Sequence, residues 1–289
     1  MEPALARLLW HPLETINAVT YFSPECRDAS VRLGLKGFWM GYFACRAAPL
    51  GPVAPGVVEA TFFNFHPDRV RRALPDAWSL AHPEDVLTAR ANGAAAALRR
   101  LLGAKAAEQL AGAVVPPAHD AIARADPAGR AMFAANRQMG APEDPVAGLW
   151  QAATTLREHR GDGHVALLVA AGLDGCEAHV LFVAGEGGSP DLYRQSRGWS
   201  SDDWRAAQAR LSDRGLLTSE GAITGPGRAL RADIEHRTDQ LAVPPYAALG
   251  QERVAALIEA LEPARRRIAA AGEVAFPNPM GLPRPPGEA

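Results

Sequence analysis

The stretch Leu156-Arg157-Glu158-His159-Arg160-Gly161-Asp162-Gly163-His164 gathers two arginines, two histidines, a glutamate and an aspartate. Such residues support three kinds of chemistry. Arg157 and Arg160 can clamp a carboxylate or phosphate through paired N–H donors. His159 or His164 can move a proton near neutral pH with Asp162 orienting the ring, so these three are the candidate catalytic residues. His159, Asp162 and His164 can also ligate a metal, with Glu25 as a further donor. Their spacing across a glycine turn is no ligand signature, however, and no metal site is expected. Each residue also has a plainer role open to it. Asp162 can be a helix cap, Arg157 and Glu158 a solvated helix face, and His164 a packed residue at a helix start.

The elements that must position this cluster read as helices. Val146–Arg160 is apolar-periodic, His164–Ala171 is a second such run, and the two glycines predict a corner between them with Asp162 near the second N-cap. Further helices are expected at Cys176–Ala184, Pro190–Arg197 and Ser201–Arg214, the last with Trp204, Ala207 and Leu211 on one face. Gly215 to Thr224 alternates around a Glu-Gly turn and predicts a short β-hairpin. Long helices follow at Pro226–Leu241 and Gln251–Ala271. Three helices, a two-stranded wing and long helices make up the winged helix-turn-helix order.

The two halves of the chain resemble each other. Leu9-Trp10 is matched by Leu149-Trp150, Gly34-Leu35-Lys36-Gly37 by Gly172-Leu173-Asp174-Gly175, Phe65–Arg71 by Trp199–Arg205, and Leu102-Gly103 with Pro116 by Leu249-Gly250 with Pro263. Four matches in the same order predict a tandem duplication. The fold expected is mostly α: two degenerate winged helix-turn-helix repeats forming a pseudo-dimer within one chain, with a hairpin wing in the second. Repeat one is residues 1–124, a linker 125–145, repeat two 146–272, and a Pro-rich extended tail 273–289.

Composition narrows the functional classes. Among 289 residues, 48% are hydrophobic and 21% charged, enough for an ordinary core. Thirty Lys+Arg against 32 Asp+Glu argue against a protein that coats nucleic acid electrostatically. Three scattered cysteines without a CxxC pair fit a reducing compartment. Neither a signal peptide nor a membrane-length apolar run is read, so no membrane partner and a cytoplasmic location are expected. There is no phosphate loop, nucleophile elbow or His-Glu-x-x-His to name a cofactor or a reaction, so the cofactor stays unknown.

Trp199 to Gly250 resembles the winged-helix half of MarR-type regulators. The likeness is carried by the Trp-Ser-x-x-x-Trp helix, Leu211-x-x-Arg214-Gly215-Leu216-Leu217, Gly227-Arg228-Ala229-Leu230 and Thr238-Asp239-x-Leu241. The whole chain also resembles an actinobacterial family of helix-turn-helix-related proteins, through Gly37–Phe43 and Arg157–His164. The resemblance implies a dimer-like architecture with a ligand near the junction of its halves. The chain departs from it where DNA would bind. Ser200 to Gly215 balances Asp202, Asp203 and Asp213 against Arg205, Arg210 and Arg214, and the wing tip carries Glu220. DNA is therefore a possible but disfavoured partner.

In a pseudo-dimer the segment around Tyr21 and Glu25 faces the charged corner. The expected site has Arg157, His159, Arg160, Asp162 and His164 anchoring a small anionic or aromatic ligand, with Tyr21, Glu25, Tyr42 and Arg46 on the facing wall. A ligand-responsive DNA-binding regulator and an enzyme with a histidine proton shuttle remain alternatives, and the chain is either a monomeric pseudo-dimer or a homodimer.

Overall fold

The computed structural model describes residues 1–287, and its described residues are helical and irregular, with no β-strand. The helices are α1 (Pro3–Phe22), α2 (Pro24–Arg32), α3 (Gly37–Ala47), α4 (Pro55–Thr61), α5 (Pro67–Arg71), α6 (Asp76–Leu80), α7 (Pro83–Leu102) and α8 (Ala104–Arg124). They continue as α9 (Ala131–Gln138), α10 (Pro145–Ala170), α11 (Gly175–Glu186), α12 (Pro190–Arg197), α13 (Ser201–Asp213), α14 (Gly225–Ala242), α15 (Pro244–Ala247) and α16 (Gln251–Ala270). Proline opens many of them, including α1, α2, α7, α10 and α12, where its missing N–H costs nothing.

The central layer is a bundle. α10 packs against α1, α7, α8, α9 and α14, while α1 packs against α10, α14 and α16. Leu9, Ile16, Leu98, Leu149, Trp150, Leu261 and Ile268 fill its core. Two smaller cores flank it. Phe43, Phe62, Val70 and Leu74 close one around α3 to α6, and Leu181, Trp204, Leu211 and Ile234 close the other around α11 to α14. In the first half α1 is followed by α3, α4, α5, α7 and α8, with the short α2 and α6 between, and in the second α10 is followed by α11, α12, α13, α14 and α16, with the short α15 between. Gly103 and Gly250 cap the last helix of each set at positive φ, 85° and 79°, a backbone that suits glycine. The first long helix of each set packs on the last helix of the other, α1 on α16 and α10 on α8.

Two expectations are corrected. The charged stretch is no corner: α10 runs unbroken through Gly161 and Gly163, so Asp162 caps no helix of its own. Glycine weakens a helix interior by about 1 kcal/mol, but α10 is buried on most of its surface and packing outweighs that. A Cβ at Gly163 would stand 2.7 Å from Arg130 Nη1, so the tip of that side chain would have to shift to admit one. The β-hairpin wing is absent, and with it the winged fold expected of the second half. Leu217 and Ile223 make one isolated bridge between the end of α13 and the start of α14. Thr224 is already the N-cap of α14, so too few residues remain for a ladder, and a lone two-stranded hairpin is marginal. The segment read as a linker contains α9, whose Met132 and Phe133 are fully buried.

Candidate functional site

Consecutive residues of α10 point to different neighbours, since a helix turns once every 3.6 residues. Glu158 faces α3 and is 2% exposed. Arg46, from the last turn of α3, donates to both its oxygens, Nε to Oε1 at 3.2 Å and Nη2 to Oε2 at 3.3 Å. Arg157 donates to Glu158 Oε2 at 2.7 Å and to Oε2 of Glu14, on α1, at 2.9 Å. Two partly buried arginines and two buried carboxylates thus form one chain of ion pairs across α1, α3 and α10. Burial alone would raise the Glu158 carboxyl, but Arg157 and Arg46 outweigh it and hold it at about 2. Burial opposes the charge on Arg46, and Glu158 and the Tyr42 hydroxyl restore it.

Aromatic residues flank the arginines. The Tyr42 hydroxyl accepts from Arg46 Nη1 at 3.3 Å, and the Tyr21 and Tyr42 rings lie 5.0 Å apart. Burial pushes the Tyr21 phenol up to about 12. Arg46 also lies over the Phe62 ring, 4.1 Å from its centroid. A small cavity opens behind, lined by Asn17, Tyr21, Arg46, Arg90, Thr154 and Glu158 among others, with room for about one water-sized particle.

The other polar residues of the stretch look away from this cluster. His159 is 2% exposed and packs edge-on against Phe133, ring centroids 4.9 Å apart; burial, helped by Arg130, drives its pKa down to about 3. Asp162 Oδ2 accepts from the Phe133 amide at 2.9 Å, satisfying an orphan donor in the first turn of α9. Burial raises its carboxyl to about 6. Arg160 pairs with Asp239 on α14 at 2.8 Å. His164 Nδ1 lies 2.9 Å from the Thr238 hydroxyl, also on α14. Glu25 faces outward and pairs with Arg100 on α7.

Of the nine residues expected at the site, Tyr21, Tyr42, Arg46 and Arg157 come together. His159, Arg160, Asp162, His164 and Glu25 do not, because a continuous helix fans out side chains that a corner would have gathered. Neither histidine reaches the arginine cluster, so it holds no imidazole proton shuttle. Among the described residues no three His, Cys, Asp or Glu side chains converge to hold a metal ion. Reasoning from sequence missed Glu14, Asn17, Arg90 and Thr154. Glu14 carried a faint signal as a charged residue amid the apolar face of α1.

The two peripheral units meet each other. The His66 amide at the start of α5 donates to the Arg197 carbonyl at 2.9 Å, and its ring lies 5.0 Å from that of Trp199, just before α13. Trp199 Nε1 donates to the Asn64 carbonyl at 3.0 Å, and Arg69 Nη2 to the Gln195 carbonyl at 3.0 Å. One groove is lined by residues along α5 and at the start of α13, including Arg69, Arg72, Ser200 and Asp203. The cations of α13 are engaged: Arg205 with Asp202, and Arg210 with Asp174 and Glu177. Arg214, just past its end, donates to the carbonyls of Gly172 and Ala171.

Fold and site together define an all-helical protein with two small helical units set against a bundle that encloses a charged cluster. The chain belongs to a helix-turn-helix family, whose family model matches residues 6–275. Comparison with curated proteins and with solved structures finds no match. No single helix among the described residues is long and apolar enough to cross a membrane.

Proposed function

We propose that this helix-turn-helix protein binds a small anionic molecule between two related halves, at the wall formed by Tyr21, Tyr42, Arg46 and Arg157. The observation that carries this is the buried charge. Replacing buried ion pairs by apolar residues is often neutral or stabilising, so Arg46, Arg157, Glu14 and Glu158 are poorly explained as stability devices. Arginines flanked by tyrosines offer a carboxylate or phosphate paired donors and an apolar rim. The enclosed space is small, so binding requires α3 to swing away from α1 and α10, with Glu158 releasing Arg46 to the ligand. The recurring helix order and the paired glycine caps support related halves.

A second reading, a ligand-responsive DNA-binding regulator similar to the MarR type, draws on the family and on the Trp199–Leu241 motifs. Against it stand the slightly acidic α13, whose arginines are engaged by Asp202, Asp174 and Glu177, and the abutting starts of α5 and α13. Recognition helices of a two-fold reader lie one DNA turn apart, about 34 Å.

Two measurements test these readings. Thermal shift against a panel of carboxylates and phosphate esters should find a stabilising compound whose effect disappears in Arg157→Met. A panel without effect overturns the proposal. A gel shift on the gene's own upstream region should show weak, unspecific binding. Tight binding that collapses as salt rises from 50 to about 200 mM favours the second reading.

A further inference from the structure

Arg197, the last residue of α12, crosses from one peripheral unit to the other. Its guanidinium lies over the Phe65 ring, 4.6 Å from the centroid. The Phe65 ring lies 5.4 Å from that of Tyr42, whose hydroxyl accepts from Arg46. Arginine stays protonated in proteins, yet no carboxylate of the described residues pairs with Arg197. Burial lowers its pKa, and the nearby Arg46 and Arg157 lower it further.

A guanidinium takes a carboxylate side-on through Nε and Nη2, two parallel donors for two oxygens. Arg46 does so with Glu158, and Arg71 with Glu59 at 2.8 and 3.1 Å. Arg197 holds the same edge toward no carboxylate. Its Nη2 donates to the Pro279 carbonyl, in the tail, at 2.6 Å, while its Nε is buried and has no hydrogen-bond partner in the protein. One main-chain carbonyl therefore fills half of an edge suited to two oxygens. A buried donor left unpaired is costly, and a neutral carbonyl does not offset the charge.

We propose that the Nε–Nη2 edge of Arg197 seats the carboxylate of an organic monocarboxylate, whose apolar body lies against Phe65 and Tyr42. The inference rests on the reading that an anion enters beside Tyr42, Arg46 and Arg157, and it names the ligand's class and a further residue that selects it. One open edge takes one carboxylate. In the unliganded chain the Pro279 carbonyl occupies Nη2. The entering carboxylate displaces that carbonyl, pairs with Nε as well, and loosens the tail. The tail is ordered around Asn278, whose carbonyl accepts from Tyr193 at 3.2 Å and whose Oδ1 accepts from the amides of Met280 at 3.2 Å and Leu282 at 3.1 Å.

The probes are hexanoate and phenylacetate, with hexanamide and phenylacetamide as uncharged counterparts. The unfolding midpoint of the full chain should rise with an acid and not with its amide. Arg197→Lys keeps the charge and loses the edge, so affinity should fall about tenfold or more. In the wild type, hydrogen exchange at the Met280 and Leu282 amides should speed up on binding. Should Arg197→Lys fail to fold, that exchange alone decides. Binding that is unchanged in Arg197→Lys, or that leaves the tail amides as protected as before, overturns this inference and leaves the wall reading standing. Binding lost in Arg197→Lys but indifferent to Arg157→Met overturns the wall reading and upholds the seat. No response to either acid overturns this inference, while a phosphate ester that stabilises the chain through Arg157 still upholds the wall.

Discussion

On the side of α10 that faces α1 and α3, Arg157 and Glu158 share partners with Arg46 and Glu14, and the ion pairs run on from residue to residue. On the side that faces α9 and α14, His159, Asp162 and His164 each meet a separate neighbour, a phenyl ring, a backbone amide and a hydroxyl, while Arg160 shares Asp239 and Glu235 with the half-exposed Arg7. One helix thus carries a cluster in which two arginines depend on one buried carboxylate and, on its other side, mostly separate contacts. In a connected network, losing one member strands the others. An independent contact can be removed at its own cost alone.

The largest effect expected follows from that difference. Glu158→Gln leaves Arg46 without its carboxylate and Arg157 with only one, and should cost about 3–5 kcal/mol in chemical denaturation. Arg160→Met on the other side should cost less than half as much, because Asp239 keeps Arg7 at 2.8 Å. Equal losses would erase the distinction between the two sides.

Acid titration should separate them as well. His159 stays neutral in the fold while the unfolded chain takes up a proton below about 6.5, so stability is lost as pH falls from 6.5 toward 3. By pH 4 that loss should be roughly 2–4 kcal/mol, and His159→Leu should remove it from a plot of unfolding free energy against pH. Glu158 acts in a lower window. Its folded pKa is depressed to about 2, so its contribution is complete above about 4.5 and disappears as pH falls toward 2. If the acid slope is unchanged in His159→Leu, the histidine is not the buried neutral base described.

The contact between the peripheral units can be broken at Gly175, where a Cβ would lie 2.2 Å from the Phe63 carbonyl oxygen. Backbone must move to admit it, so Gly175→Ala should cost about 1–3 kcal/mol. It should also raise hydrogen exchange at the Asn64–His66 amides while leaving α10 protected. Uniform loss of protection would mean that the units do not dock independently of the bundle.

The smallest effects belong to Asp162. Asp162→Ala removes the acceptor for α9 and should cost about 1 kcal/mol. Asp162→Asn keeps an acceptor without the charge. Because the folded carboxyl has a raised pKa of about 6, ionised Asp162 opposes folding, and the wild type gains stability as pH falls from 6 toward 4. The Asn variant should be as stable as wild type or better at pH 7.5 and should lack that gain. A clear loss at pH 7.5 would show that the charge itself stabilises α9.

Much of the helical layout was legible in the residues, because the signals are local. Ser200 caps α13 in a box with Asp203, Pro190 opens α12, and Trp204, Ala207 and Leu211 fall on one buried face. Among its described residues the tail from Glu273 forms no helix, and Asn278 and Leu282 are buried, with Tyr193 donating to the Asn278 carbonyl at 3.2 Å. The candidate site was legible only in part. Tyr21, Tyr42, Arg46 and Arg157 were picked by residue type, whereas Arg90 gave no pattern and Glu14 only a faint one, because their partners lie far along the chain.

The sequence by itself determined that this chain is helical, where most helices start, and which stretch concentrates charge, since each depends on a few neighbouring residues. The tertiary structure alone decided that α10 passes straight through its glycines, that the wing dwindles to one bridge, and that the charged stretch divides between two sides of a helix. The reason is the balance of energies. Glycine's penalty inside a helix is about 1 kcal/mol, which burial of a central helix exceeds. The partner of Arg157, Glu14, stands 143 residues away, and only packing brings it into reach.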